Sequence, residues 1–247
     1  MMDGRLKTLH PRVHGGLLGR RDIGEDRHSM GEHGIPQIDL LYVNLYPFEA
    51  TVARGASSED CVENIDIGGP AMIRSGAKNH SNVAVVVDPN DYGEVLRHLK
   101  ENNGQLPKDF LRQLAAKAYA HTAAYDAAIA QWFDGERRAQ PGQPFFASNV
   151  ATAGEKVSEL RYGENPHQQA AYYTVGDSAP GLAGAKLLGG KALSYNNILD
   201  ADAAMKLAFE FSTTSCVLVK HNNPCGTAVA GDLPRAFEQA RSGDPVP

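Results

Sequence analysis

The sequence predicts an α/β protein. Two short apolar runs, residues 38–45 and 82–87, have the length and the β-branched content of buried strands. Stretches with helical spacing of apolar residues follow them, and strands that alternate with helices favour helices packed on a sheet of parallel strands. The chain has 247 residues, of which 42% are hydrophobic, so it can bury the core of one large or two modest domains.

Charge, cysteine content and hydropathy narrow the class of protein. The formal net charge of -5 disfavours a broad nucleic-acid interface, which needs clustered Lys and Arg. The three cysteines are odd in number and show no Cys-x-x-Cys spacing, which indicates a reducing compartment rather than a disulfide framework. The apolar runs are too short to cross a bilayer. We therefore expect a soluble cytosolic protein that binds neither nucleic acid nor membranes.

In the first part of the chain, residues 3–21 are rich in Gly, His and Arg and predict irregular structure with short elements. The predicted elements then follow as a strand at 38–45, helices at 58–65 and 70–78, a strand at 82–87, a helix at 91–101, a turn at 102–104 and a helix at 109–133. Pro70 suits the first turn of its helix, where a missing N–H costs nothing, and Asp109 suits an N-cap.

A break at residues 138–145 contains two prolines and a glycine and predicts a linker. Beyond it, the predicted elements are a strand at 170–175, a Gly-rich segment at 181–190, a helix at 200–211, a strand at 216–220 and a helix at 232–242.

Generic cofactor and metal motifs are missing. The chain contains no Gly-x-Gly-x-x-Gly fingerprint for a dinucleotide. His10 and His14 have the spacing of a zinc-binding helix, but Pro11 and the following Gly-Gly pair disfavour a continuous helix there. Residues 223–225, Asn-Pro-Cys, lack the second cysteine and the His-x-Glu of zinc deaminases. We therefore predict no metal site.

Two segments near the start of the chain carry candidate binding residues. Arg5, Lys7 and Thr8 suit an anion such as a phosphate, although a solvated basic turn explains them equally well. Asn44 and Tyr46 follow the first predicted strand, and ligands of open α/β sheets bind at the carboxyl ends of strands. The alternative for this pair is an ordinary strand end with a packed aromatic ring.

A third segment places Asp66 before Gly68 and Gly69 at the start of a predicted helix that ends near Lys78. Free backbone N–H groups beside a carboxylate can hold a phosphate or stabilise an oxyanion. The alternative is a tight turn followed by a lysine that the helix dipole favours at the C-terminus.

Beyond the linker, Arg161 and Tyr162 combine a phosphate-binding side chain with a ring that can stack on a planar base, unless they form only a polar loop. Lys220 and His221 end a predicted strand and enter a turn that contains Pro224 and Gly226. A histidine can move a proton near neutral pH while a lysine polarises a carbonyl, and the two together suit acyl or formyl transfer. The alternative is a structural histidine.

Six segments, in order and over nearly the whole chain, are similar to one family. They are GRLKTLHPRVHGGLL, IDLLYVNLYPF, NIDIGGPAMIRSGAKNH, LRYGENPHQ, LSYNNILDADAA and VKHNNPCG. The chain resembles the bifunctional purine-biosynthesis family, AICAR transformylase/IMP cyclohydrolase. The resemblance implies that residues 1–140 form a cyclohydrolase domain with a methylglyoxal-synthase-like, doubly wound α/β fold. It further implies a linker at 141–152 and, at 153–247, the start of a cytidine-deaminase-like transformylase domain without zinc.

The same resemblance implies two reactions and a set of site residues. One reaction moves a formyl group from the cosubstrate 10-formyltetrahydrofolate to AICAR, and the other closes formyl-AICAR to IMP; neither needs a metal, and family members are homodimers. The implied catalytic residues are Lys7, Tyr46, Asp66, Lys78, Lys220 and His221. The implied substrate-binding residues are Arg5, Thr8, Asn44, Gly68, Gly69, Arg161, Tyr162 and Asn197.

The resemblance also implies that segments of the family's pattern are missing. The family's first strand and phosphate loop have no counterpart ahead of Asp3, and most of the transformylase region has none after Pro247. We therefore expect a fragment of a bifunctional parent that is poorly active or inactive alone. The alternatives are a non-catalytic purine-nucleotide-binding remnant that associates with the full-length enzyme, and a monofunctional cyclohydrolase with a vestigial extension.

Overall fold

The computed structural model describes residues 8–175 and 181–244. The chain divides into two compact units, residues 1–153 and 154–247. None of the helices in the described ranges is long and apolar enough to span a membrane.

The described part of the first unit is built on two short parallel strands. Its elements are α1 (Pro11–Leu18), α2 (Gly24–Glu32), β1 (Leu40–Tyr42), α3 (Phe48–Ala53), α4 (Ser58–Glu63), α5 (Gly68–Lys78), β2 (Ala84–Val86), α6 (Tyr92–Glu101) and α7 (Lys108–Arg138). Strands β1 and β2 pair from Leu40 opposite Ala84 to Tyr42 opposite Val86, and α3, α4 and α5 form the crossover between them. This arrangement confirms the prediction of parallel strands for this unit.

Both faces of this small sheet are covered by helices. Val83, Val85 and Val87 point to one side, where they pack in a cluster with residues of α1, α5 and α7. Ala84 and Val86 point to the other side, where they pack with residues of α6 and α7. Burial on both faces explains the continuous apolar run at 82–87, because every side chain of a doubly covered parallel strand lies in the core.

The second unit pairs its described strands in two antiparallel ladders. Its elements are β3 (Gly154–Leu160), β4 (Ala170–Val175), α8 (Tyr195–Phe209), β5 (Ser215–Lys220), β6 (Asn223–Val229) and α9 (Leu233–Gly243). Strand β3 pairs with β4, and β5 pairs with β6. Helix α9 lies against β6 so closely that a Cβ on Gly226 would stand 2.1 Å from the carbonyl oxygen of Ala240.

Several sequence predictions need correction. The expectation of parallel strands is wrong for the second unit, where both pairs are antiparallel. Residues 223–226 belong to β6 rather than to a turn. Asp109 does not cap α7, because the N-cap residue is Pro107 and no side chain caps that end. Helices α2 and α3 and strand β3 were not predicted, since their short or polar sequences show no clear apolar period.

The objection to a helix after His10 is also wrong, because α1 runs from Pro11 to Leu18. Pro11 occupies the first turn, where it is tolerated, and His10 Nδ1 accepts a hydrogen bond from the Arg12 N–H at 3.1 Å. A Cβ on Gly16 would lie 2.5 Å from the carbonyl oxygen of Pro36. Tertiary packing therefore stabilises α1 although its two glycines have a low intrinsic helix propensity.

Candidate active sites

The first candidate site lies beyond the carboxyl end of β1. Asn44 and Tyr46 follow that strand, and both are exposed, with 44% of Tyr46 accessible to solvent. The backbone N–H of Tyr46 donates to Oδ2 of Asp66 at 3.3 Å. Asp66 precedes α5, so this contact joins the loop after β1 to the amino end of a helix. The structure thus brings together two of the segments that the sequence singled out.

The Asp66 carboxylate also caps α5. Its Oδ1 accepts a hydrogen bond from the Gly69 N–H at 2.9 Å. A carboxylate at this end is stabilised by the positive pole of the helix dipole and by unsatisfied N–H groups. Gly68 and Gly69 are buried as the first residues of α5, and a Cβ on Gly69 would lie 2.7 Å from Leu45 Cδ2 and 2.8 Å from Asp66 Oδ2. Any larger residue at position 69 would therefore clash with the Asp66 carboxylate in this conformation.

Tyr125 of α7 is a residue of this site that the sequence did not reveal. Its Oη accepts a hydrogen bond from the Asp66 N–H at 2.8 Å and donates one to the carbonyl oxygen of Asn64 at 3.1 Å. Tyr125 is only 7% exposed, and this burial raises its pKa, so the hydroxyl stays protonated at neutral pH. The buried residues Ala118 and Thr122 stand seven and three positions before it, so helical spacing could have predicted burial but not the partner.

The other predicted residues of the first unit lie further apart. Thr8 is exposed and its hydroxyl contacts Met72 Sδ at 3.6 Å. Lys78 is exposed as the last residue of α5, one helix length of about 16 Å from the end at which Asp66 lies. Arg5 and Lys7 lie outside the described residues. The structure therefore groups Tyr46, Asp66 and Gly69, and it holds Lys78 at the opposite end of the helix.

The second candidate site begins with a pair of adjacent side chains after β3. The Arg161 guanidinium lies over the Tyr162 ring, 4.9 Å from its centroid. A hydrogen bond with the Ser194 hydroxyl and, next, one from Arg161 lower the pKa of Tyr162. Backbone hydrogen bonds from Arg161 N–H to Leu193 O and from Tyr195 N–H to Tyr162 O hold the pair beside the start of α8.

Asn197 lies in the first turn of α8, where it forms a capping box with Ser194. The Asn197 N–H donates to Ser194 Oγ, and Asn197 Oδ1 accepts the Ser194 N–H at 3.1 Å. Ser194 is fully buried. Because the cap uses Oδ1 of Asn197, a contact between Asn197 and a ligand would use the Nδ2 amide group.

Lys220 and His221 stand at the tip of the hairpin that joins β5 to β6. His221 and Asn222 have φ values of 52° and 62°, and they form a two-residue turn between the paired residues Lys220 and Asn223. Such turns need left-handed backbone, which His and Asn adopt more readily than most residues. His221 is exposed, while Lys220 Nζ forms an ion pair with Asp244 Oδ2 at 3.1 Å.

One face of α8 connects the two halves of this site. Asp200 Oδ1 accepts a hydrogen bond from the Asn222 N–H at 2.7 Å, which fixes the turn against the helix. Asp200 is three residues after Asn197, so the two side chains are neighbours on the helix surface. The first turns of α8 therefore hold both the Arg161–Tyr162 pair and the His221 turn. Sequence analysis found neither Ser194 nor Asp200.

A separate cavity of about 300 Å³ lies between β3, residues 181–193 and α8. Its lining is mostly apolar and includes Val157, Tyr172, Leu187 and Ile198, and it contains none of the predicted site residues. Over the described ranges, no group of three His, Cys, Asp or Glu side chains is arranged to hold a metal ion.

A family model and curated relatives both match this chain. The model of the AICARFT/IMPCHase bienzyme family matches residues 76–247. The Bifunctional purine biosynthesis protein PurH of Bradyrhizobium diazoefficiens is 56% identical over 247 residues, and that of Caulobacter vibrioides is 56% identical over 249 residues. These alignments cover 99% and 100% of this chain but 46% of each relative, so the chain spans about half the length of these relatives. A crystal structure of ForH is 36% identical, covers 58% of this chain and 71% of that chain, and gives a TM-score of 0.47.

Proposed function

The chain belongs to the AICARFT/IMPCHase bienzyme family, and from that membership we propose that it serves the last two steps of de novo purine biosynthesis in the cytosol. The first step is formyl transfer from 10-formyltetrahydrofolate to AICAR, and the second is cyclisation of formyl-AICAR to IMP. Relatives named as bifunctional purine biosynthesis proteins support this proposal, and they do not favour a non-catalytic remnant.

We assign the two steps to different parts of the chain. Residues 1–140 form the cyclohydrolase domain, with a methylglyoxal-synthase-like fold, and residues 153–247 form the start of a cytidine-deaminase-like transformylase domain, with a linker at 141–152. The parallel pair β1–β2 and the division between Ala153 and Gly154 support this assignment. The homodimer of the family and slow turnover by this chain alone stay predictions.

The observation that carries the cyclisation proposal is the placement of the Asp66 carboxylate. In this reaction the carboxamide nitrogen attacks the formyl carbon and loses one proton, and the formyl oxygen gains one to become a hydroxyl. That hydroxyl then leaves as water with the proton of the formamide nitrogen, and a C=N bond closes the ring system. A carboxylate at the mouth of a strand-end crevice is suited to accept the nitrogen proton and return it to the departing oxygen. Asp66 lies beside the loop that follows β1, and its carboxylate is oriented by the backbone N–H groups of Tyr46 and Gly69.

The backbone amides of α5 supply the complementary charge. The Gly69 N–H already donates to Asp66, so we assign stabilisation of the developing oxyanion to the Gly68 N–H in the same helix turn. Lys78 ends the helix about 16 Å from its start, so we propose that Lys78 and Asp66 act on different parts of the ligand. Arg5, Lys7 and Thr8 would bind its anionic part.

Formyl transfer is the proposed role of the hairpin tip in the second unit. The AICAR amine attacks the formyl carbon, a tetrahedral intermediate forms, and the bond from that carbon to the folate nitrogen breaks. His221 would accept the amine proton and donate it to the departing folate nitrogen, and the Lys220 ammonium would polarise the formyl oxygen. Arg161, Tyr162 and the Nδ2 group of Asn197 would hold AICAR from the neighbouring turn of α8.

Ligand titrations of the isotopically labelled chain test both site assignments. We expect IMP to shift the backbone amide signals of residues 44–46 and 66–69, and AICAR to shift those of residues 161–162, 194–197 and 220–222. Each ligand is added to the same sample in nuclear magnetic resonance experiments. Shifts confined to the lining of the 300 Å³ cavity, or no shifts at saturating ligand, would contradict the assignments.

A further inference from the structure

The loop before α5 is tied to α7 by a buried hydroxyl group. Tyr125 Oη lies 2.8 Å from the Asp66 nitrogen, from which it accepts a hydrogen bond, and 3.1 Å from the Asn64 carbonyl oxygen, to which it donates one. The partners are 59 and 61 residues apart in sequence. One side chain thus fixes the backbone on both sides of Ile65, directly ahead of the Asp66 carboxylate.

The Tyr125 ring is held firmly enough to act as an anchor. It is 7% exposed and belongs to a core cluster with Phe48 of α3 and Cys61 of α4. The Phe48 and Tyr125 rings meet edge to face with their centroids 6.3 Å apart. Because burial raises the pKa of Tyr125, the hydroxyl keeps its proton for Asn64 through the physiological pH range.

Removal of this hydroxyl would leave a backbone donor and a backbone acceptor without their partner. Such groups rotate to find water or another partner when they lie near the surface. At Asp66 that rotation would move the carboxylate, whose oxygens accept hydrogen bonds from the N–H groups of Gly69 and Tyr46. The orientation of the carboxylate therefore depends on the side chain of a distant helix.

We infer that Tyr125 is a positioning residue that orients the Asp66 carboxylate for the proton transfers of cyclisation. It touches neither substrate nor reacting atoms in this scheme, and it acts through the backbone of residues 64–66. The inference rests on the proposed role of Asp66. It predicts that cyclisation needs the hydroxyl group of Tyr125 in addition to the buried ring.

The Tyr125→Phe variant of the whole chain tests this inference. It keeps the ring against Phe48 and removes only the hydroxyl. The matched control is Tyr119→Phe on the same helix, where the ring is 39% exposed and its hydroxyl lies 3.5 Å from the Arg74 carbonyl oxygen. We expect Tyr125→Phe to lower kcat for cyclisation by about 10-fold or more with KM nearly unchanged, since small misplacements of a reacting group are costly. Tyr119→Phe should leave both constants unchanged.

Amide hydrogen exchange separates positioning from general destabilisation. In Tyr125→Phe, exchange at Asp66 and Gly69 should rise about fivefold more than at Val85 and Val86 in the core strand, the change expected for loss of one local hydrogen bond. An equal rise of the exchange rate at all four amides would overturn the inference. A fall of kcat/KM caused by a higher KM, with kcat unchanged, would also overturn it. If the wild-type chain does not cyclise formyl-AICAR, the proposed function fails, while the exchange pattern still decides whether Tyr125 orients Asp66.

The wild-type chain provides a second measurement should Tyr125→Phe not fold. The hydroxyl proton of Tyr125 should exchange slowly and show a nuclear Overhauser cross-peak to the Asp66 amide proton. An Asp66 amide that exchanges as fast as one in an exposed loop overturns the inference.

Discussion

At the scale of single residues, the first site depends on backbone groups more than on paired side chains. The two carboxylate oxygens of Asp66 accept hydrogen bonds from the N–H groups of Tyr46 and Gly69, and the Asp66 N–H donates one to Tyr125 Oη. Backbone N–H donors at a helix start have fixed directions. They therefore orient a carboxylate without the loss of conformational entropy that ordering a long donor side chain would cost. A proton acceptor in this position is already arranged before the ligand binds.

Gly69→Ala tests how much this arrangement depends on space. The added methyl would meet Leu45 and Asp66 at less than 3 Å, so the carboxylate or the helix must shift. We expect the free energy of unfolding to fall by about 1–3 kcal/mol, as for other overpacked positions, and IMP binding to weaken. Gly93→Ala in α6 is the control, because its methyl meets no atom within 4 Å. Urea denaturation should show Gly93→Ala equal to or more stable than wild type.

Ser194→Ala tests the electrostatics of the second site. The Ser194 hydrogen bond is the largest cause of the lowered pKa of Tyr162, because it favours the phenolate. We expect the pKa of Tyr162 to rise towards 10.0 in the variant, as measured by carbon-detected titration of labelled tyrosine. Asn197→Ala disrupts the same helix cap but retains the serine hydroxyl, so it should keep the pKa low. An unchanged Tyr162 pKa in Ser194→Ala would contradict this account.

Sequence reasoning found the site residues that stand in local motifs and missed those that act from a distance. Asp66 and Gly69 are three residues apart, so a predicted helix start placed the carboxylate beside backbone N–H groups, although the hydrogen bond from the Gly69 N–H to Asp66 was not predicted. Tyr125 and Asp200 act on residues 59 and 22 positions away, and nothing in the local sequence specifies such a pair. The separation of Lys78 from Asp66 was also predictable, because the sequence placed the two residues at opposite ends of the helix that became α5.

At the scale of elements, the hairpin tip combines a strained backbone with the proposed base. Left-handed backbone costs a residue with a side chain about 1–2 kcal/mol relative to its preferred conformation. His221 and Asn222 both adopt it, and Asp200 stabilises the turn through the Asn222 N–H. Glycine would adopt this backbone at a lower cost, so the proposed general-base role of His221 would account for an imidazole at this position.

His221→Gly and Asn222→Gly separate stability from chemistry at this turn. Each replacement relieves one left-handed residue, so each should raise the free energy of unfolding by about 0.5–1 kcal/mol in urea denaturation. Formyl transfer should fall about 100-fold in His221→Gly alone, because only that variant loses the general base. Equal formyl-transfer rates in the two variants would remove His221 from the mechanism.

Most elements were predictable where an apolar period or a capping signal was present. Strands β1, β2, β4 and β5 and helices α4 to α9 fall within or beside the predicted segments. Strand β3 has six exposed residues out of seven, so it lacks the alternation that marks a half-buried strand. Strand β6 contains Pro224 and a bulge beside it, which made its sequence resemble a turn.

At the scale of the whole molecule, the α/β class was predictable, and strand direction was predicted correctly in the first unit but not in the second. Parallel pairing was predicted from the alternation of strands with helices, and in the first unit helices do cover both faces of the β1–β2 pair. In the second unit, β5 also has an apolar run, yet a two-residue turn returns the chain directly into β6. This turn makes the pairing antiparallel. Its left-handed residues are not glycines, so the sequence did not indicate a two-residue hairpin turn.

The division into two units separates the residues that we propose for the two reactions. The candidate residues for cyclisation lie before residue 79 and those for formyl transfer lie after residue 160, on either side of the division at Ala153. Loss of one activity should therefore leave the other unaffected. This independence gives each single-site variant an internal control in the same chain.

The proposed dependence of cyclisation on Asp66 is tested by the rate at which the chain converts formyl-AICAR to IMP. Asp66→Asn is compared with Asp60→Asn, which neutralises a carboxylate in α4 without touching the site. The account predicts IMP formation above the uncatalysed rate, a fall of about 100-fold or more in Asp66→Asn, and no change in Asp60→Asn. Equal rates for the chain and its Asp66→Asn variant would contradict it.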